Sequence, residues 1–217
     1  MTVEPTSDFT VAPAMSEAEC LSALSRGAAV VDPGLDLLAV GEMGIGNSTV
    51  AAALCARSLG GSAAHWTGPG TGVDDAGIAR KIAVIEKALA FHADAPTTPF
   101  ETLRRVGGRE IVAIAGAIIA ARHAGIPVVL DGFISCSAIA PVAAAFPAIT
   151  EHCIAGHRSA EPGHIRLLDR LCLRPLLDLD MRLGEGSGAA VAVTVIRSAL
   201  AAHNGMATFA EAGVSGA

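Results

Sequence analysis

Residues 35–60 read LDLLAVGEMGIGNSTVAAALCARSLG. The first six residues, LDLLAV, form a short apolar run that stops at Gly41, as a buried strand does. NSTVAAALCARSLG has helical spacing and closes on glycine, a common helix stop. Between them, glycines leave backbone N–H groups free to close on an anion at a helix N-terminus. A strand, a glycine loop and a helix in this order are the unit from which α/β sheets are built.

The same alternation recurs outward from this stretch. Upstream, Ser16 stands three residues before Glu19, a capping-box spacing that predicts a helix over SEAECLSALSRGAAVV. Downstream, a long amphipathic helix is expected over residues 74–93 and a shorter one over 100–106. REIVAIAGAIIAARHAG is apolar nearly all round and predicts a deeply buried helix. IPVVLDG is the clearest strand, with Asp131 and Gly132 at its carboxyl end, and ITEHCIAGH is another candidate. SAIAPVAAAF predicts a helix with Pro141 in its first turn, and residues 161–171 and 187–202 predict two more, with no strand between those last two. The pattern is that of an α/β protein with a doubly wound, mostly parallel sheet, flanking helices and a small C-terminal helical subdomain, with ligands bound beyond the strands' carboxyl ends. The expected division is a flexible N-terminal arm at 1–14, an α/β phosphate-binding core at 15–180, and a catalytic loop with a helical subdomain at 181–217.

Composition narrows the partners. The 217 residues are 52% hydrophobic but only 3% aromatic, with a formal charge of −6. Neither aromatic stacking nor a basic surface is available for nucleic acid, which is excluded as a partner. The longest charge-free apolar run, residues 111–121, is shorter than the roughly 20 residues of a membrane span. The five cysteines include no C-x-x-C pair, and no signal peptide opens the chain, so a soluble cytoplasmic protein with free thiols is expected.

Three glycine-rich stretches carry the chemistry. In GEMGIGNST the spacing of Gly41, Gly46 and Ser48 is that of a phosphate-binding loop, but Asn47 stands in the lysine position. Anion binding survives this change and the nucleoside-triphosphatase signature does not; a tight turn that needs small residues is the alternative. Glu42 is a carboxylate that such a turn does not require. WTGPGTGVDD again runs into a helix, with Lys81 two turns along it, and reads as a second anion nest or as a surface loop. In DMRLGEGSGAA, Arg182 offers a fixed positive charge, and Gly184 and its neighbours allow close backbone approach. Glu185 there is either a general base raised towards neutrality by desolvation or a helix N-terminal acid held by the macrodipole. His157 and His164 have no recognisable metal-ligand spacing, and no metal site is expected.

GEMGIGNST, KIAVIEKAL, VGGREIVAIAGAIIAA, PVVLDGFIS, HRSAEPGH and LDMRLGEGSGAA, in this order, closely resemble the nicotinate-nucleotide:dimethylbenzimidazole phosphoribosyltransferase family. The resemblance runs from about Pro13 to the C-terminus and lacks most of the family's N-terminal third. It implies a pentosyltransferase of cobalamin biosynthesis that moves the phosphoribosyl group of nicotinate mononucleotide onto a benzimidazole-type base, without a metal or organic cofactor. It further implies Glu185 as general base, with Glu42 beside the ribose. Gly44, Asn47, Lys81, Asp131, Gly132 and Ser159 are then expected around the phosphate and substrate, with Arg182, Leu183 and Gly184 walling the site. Many apolar residues in a shortened chain predict an exposed face and a homodimer. The rival expectations are a nucleotide-binding module without turnover and a degenerate phosphate-loop phosphotransferase.

Overall fold

Four short strands carry the sheet: β1 (Leu38–Val40), β2 (Val128–Leu130), β3 (Cys153–His157) and β4 (Pro175–Leu177). They lie side by side in chain order and all run parallel. The fold is that of a computed structural model, which describes residues 5–70 and 72–214. Val40 pairs with Leu130 and Leu130 with Ala155, so Gly41 and Asp131 leave the sheet at one level, while β3 runs two residues further to His157.

Side-chain alternation along β2 builds two cores. Val128 and Leu130 face the larger one, where they meet buried Leu54, Ile111, Ile118 and Leu167. Val129 points the other way and packs with Ala189 and Ala192. The helices follow from the same pattern. The ten are α1 (Glu17–Ala29), α2 (Asn47–Leu59), α3 (Ala63–Trp66), α4 (Asp75–Phe91), α5 (Pro99–Val106), α6 (Arg109–Ala124), α7 (Phe133–Ser137), α8 (Ala140–Ala145), α9 (Pro162–Leu171) and α10 (Ser187–Gly205) among the described residues. The capping box of α1 is formed, with the Glu19 N–H donating to Ser16 Oγ at 3.3 Å and the Ser16 N–H to Glu19 Oε2 at 2.8 Å. Eight residues of α6 are buried, which is why its sequence is apolar on nearly every side. Pro141 lies in the first turn of α8.

The α/β class and the parallel sheet with flanking helices match the expectation. The order of the four described strands never reverses, and α10, which follows all of them, covers the second face of the sheet. This corrects the reading that the last two helices follow each other without a strand. β4 intervenes; it is three residues long and opens on proline, which an edge strand tolerates but which leaves little periodicity to read. The first turns of α10 bury Gly188, Ala189 and Ala192 against the sheet, and only the part beyond them stands out from the body. The arm expected over residues 1–14 is tied down from Ser7 onward, its first four residues lying outside the described ones. The Ser7 N–H donates to the Ala14 carbonyl at 3.0 Å, the Ala14 N–H to Arg105 O at 3.0 Å, and His92 Nε2 contacts Phe9 O at 3.0 Å. No helix among the described residues is long and apolar enough to cross a membrane.

Candidate active site

A cavity of about 480 Å³ opens at the carboxyl ends of the strands, and all eleven residues singled out in the sequence line it. Four loops and the helix α4 bring them there from positions far apart in the chain.

The loop between β1 and α2 supplies Glu42, Gly44 and Asn47. Glu42 Oε2 accepts the Gly44 N–H at 3.1 Å and the side-chain amide of Asn47. Asn47, expected at the phosphate, is buried and spends its amide on holding Glu42. Replacing the phosphate-loop lysine thus removes a cation and provides a fixture for a carboxylate.

The loop into α10 supplies Arg182, Leu183, Gly184 and Glu185. Gly184, Glu185 and Gly186 have φ of +79°, +58° and +75°, three successive left-handed residues. For a glutamate this backbone is strained, and such strain gathers where a side chain must be aimed. The Glu185 N–H donates to the Glu42 carbonyl at 3.0 Å, so one backbone bond joins the two carboxylate-bearing loops. Glu185, Arg182 and Leu183 are exposed at the mouth. The enclosure expected around Glu185 is not supplied by the described residues.

Asp131 follows β2 and is 2% exposed. Its Oδ2 accepts the Gly186 N–H at 3.1 Å and its Oδ1 the Ala189 N–H at 2.9 Å. Its carboxylate, expected from the sequence to face substrate, accepts at the N-terminus of α10, where partial positive charge favours it, while the residue lines the cavity.

Lys81 Nζ donates to Ser48 Oγ at 2.9 Å and to the Gly68 carbonyl at 3.1 Å, which tethers α4 to the first loop and to the 66–75 stretch. Gly132 and Ser159 also line the cavity. The Ser159 N–H donates to His164 Nδ1 at 3.0 Å, and His164 Nε2 lies 3.3 Å from Cys136 Sγ. Burial, and then the neighbouring His157, push the pKa of His164 down to about 3, so the ring is neutral and serves as an acceptor that fixes Ser159.

Two titratable residues of the cavity, His157 and Glu161, were not among the candidates. His157, at the end of β3, is 2% exposed, and neither ring nitrogen has a hydrogen-bond partner among the described residues. Glu161 stands at the N-cap of α9; burial raises the pKa of its carboxyl, opposed by the Gly70 N–H and the charge of Lys81. A signal for His157 existed in its place at a strand's carboxyl end, the place that also marked Asp131 and Glu42. Glu161 had none, because a residue before proline reads as an ordinary helix start.

The cavity lining combines the carboxylates of two loops joined by a backbone bond with glycine backbone, hydroxyls and one ammonium group. Such a set of groups can hold a phosphorylated ligand and can stabilise developing positive charge or take a proton.

Comparison with known proteins shows the family. A phosphoribosyltransferase family matches residues 2–214. A nicotinate-nucleotide–dimethylbenzimidazole phosphoribosyltransferase of Novosphingobium aromaticivorans is 75% identical over 97% of this chain and 62% of its own length. One of the same name from Rhodobacter capsulatus is 56% identical over 97% of this chain and 63% of its own. The crystal structure of CobT from Thermus thermophilus superposes with a TM-score of 0.89 at 42% identity, covering 98% of this chain and 64% of that one. The chain therefore spans about 62% of the length of the curated relatives it matches. With its motifs in the family's order and its candidate residues gathered around one cavity, the chain belongs to the nicotinate-nucleotide:dimethylbenzimidazole phosphoribosyltransferase family.

Proposed function

We propose that this chain carries the phosphoribosyl-transfer site of its family and uses it to move the 5-phosphoribosyl group of nicotinate mononucleotide onto a benzimidazole-type nitrogen. The observation that carries this reading is the backbone bond between the Glu42 and Glu185 loops, at 3.0 Å, in a cavity that Lys81, Gly132 and Ser159 also line. In this reading the phosphate meets Gly44, Lys81, Gly132 and Ser159, and the ribose lies against Glu42 and Glu185. The bond between C1′ and the pyridine nitrogen breaks, its electron pair leaves with nicotinate, and positive charge builds at C1′, which Glu42 stabilises. The azole nitrogen forms the new bond from the opposite face, giving the α-nucleotide, and Glu185 takes the azole proton. The product leaves neutral at the ring. Arg182 and Leu183 border the nucleophile's entrance.

Nicotinate release, followed by HPLC from nicotinate mononucleotide with dimethylbenzimidazole, tests this directly. Glu185→Gln is expected to lower kcat by about 10²–10⁴-fold. A variant that turns over as fast as wild type removes Glu185 from the role of base. A second reading, a module that binds the nucleotide without turnover, is favoured by the exposure of Glu185. It predicts nucleotide binding that Glu185→Gln leaves unaltered and no nicotinate release even beside a full-length relative.

A homodimer also belongs to this proposal, supported by exposed Met43, Ile45 and Leu183 at the mouth and by Val195 and Leu200 on α10. A cytoplasmic setting is supported by its free cysteines, four of them buried.

A further inference from the structure

We infer that Asp131, buttressed by His157, is a positioning residue for Glu185: it pins the left-handed turn that carries the base onto the N-terminus of α10 and is not a ligand for the phosphate. The inference rests on Glu185 acting as the base, as proposed above.

A loop held in three successive positive-φ conformations does not persist by itself and needs anchors on both sides. One anchor is the bond from the Glu185 N–H to Glu42 O. The other is Asp131, whose two oxygens accept the N–H groups of Gly186 and Ala189, the residues directly after Glu185 and in the first turn of α10. The 19-residue helix points its positive end at the cavity, and a phosphate would be drawn there. The protein's own carboxylate already occupies that end, so the substrate phosphate is left to the loops around Lys81.

His157 completes the support. Its Nε2 lies 3.6 Å from Asp131 Oδ1, and its ring fills the space under Gly188, where an added Cβ would come within 2.0 Å of His157 Cδ2. Gly188 therefore sits on the imidazole, and the imidazole sits against Asp131. Nε2 of this buried ring, without a hydrogen-bond partner among the described residues, thus has a carboxylate oxygen as its neighbour at 3.6 Å.

Amide hydrogen exchange at Gly186 and Ala189, measured by NMR with Ala192 as internal reference, is combined with kcat and KM for nicotinate mononucleotide in Asp131→Ala, Asp131→Asn and His157→Ala. Asp131→Ala is expected to speed exchange at Gly186 and Ala189 by about tenfold or more while Ala192 stays protected. It is expected to lower kcat by about 10²-fold, the cost of misplacing a reacting group by an ångström, with KM little changed. Asp131→Asn keeps one carbonyl acceptor and should retain protection at one of the two amides and part of kcat. His157→Ala should raise exchange at Ala189. Unchanged exchange at both amides in Asp131→Ala overturns the inference, and so does a loss confined to KM, which a direct substrate contact would give. If the wild-type chain releases no nicotinate, the proposed function fails, while the exchange data still decide whether Asp131 pins the loop.

Discussion

His164 shows how a single buried ring supports the site and makes it sensitive to acid. Its pKa falls from an ordinary 6.5 to about 3 in the folded chain, by desolvation first and then by the charge of His157. Between those values the unfolded chain binds a proton that the folded chain refuses, so stability declines as pH falls through that window and is level above it. Urea midpoints measured from about pH 7 down to about pH 4 should therefore drop more steeply in wild type than in His164→Asn, which keeps an acceptor for the Ser159 N–H, the remaining slope coming from His92 and His152, also lowered by burial. Parallel declines would assign the acid sensitivity elsewhere. Glu185 and Glu42 were legible as candidates because glycines flank them and because they match the family's motifs. Asn47 and Asp131 were legible only as members of the site: their types and positions were plain, but their partners, Glu42 for one and the amides of α10 for the other, are set by how loops meet.

Among the elements, the pair α1 and α6 shows most clearly what the apolar pattern can and cannot announce. The two helices touch closely where glycines face backbone: a Cβ on Gly27 would stand 1.7 Å from Ala113 O, and one on Gly116 would stand 2.1 Å from Leu24 O. Gly116→Ala must push the helices apart and should cost about 1–3 kcal/mol in chemical denaturation. Gly205→Ala, where a Cβ would find no atom within 4 Å at the end of α10, is expected to be neutral or to stabilise by about 0.4–1 kcal/mol. Equal effects of the two substitutions would contradict this packing. The helical periodicity and the apolar character of α6 were readable because both repeat over sixteen residues. The short α3, α7 and β4 were not: unlike the equally short β1 and β2, which sit in longer apolar runs ending at a glycine or an aspartate, they carry too little of any pattern to be read and take their conformation from neighbours.

For the molecule as a whole, ligand linkage offers a test independent of turnover. Nicotinate mononucleotide at about a hundredfold excess over Kd should stabilise the folded chain by about 2.7 kcal/mol. That raises Tm by about 5–10 °C for a chain of this size. No shift at any millimolar concentration would argue against a preserved phosphoribosyl site. Light scattering at tens of micromolar tests the homodimer: a mass at the monomer's 21.7 kDa would count against the exposed apolar face as an interface. The order of residues alone accounts for the α/β class, the glycine loops at strand ends and the carboxylates within them, because each depends on neighbours a few positions away and on a repeating pattern. Which face α10 covers, where β4 joins the sheet, and what Asp131 holds were decided in three dimensions. Asp131 and Gly186 lie 55 residues apart, and nothing in the local sequence of either tells that the free carboxylate of one will meet the free amide of the other. Burial makes that meeting compulsory, since a carboxylate and a helix N-terminus enclosed in the same core must satisfy each other.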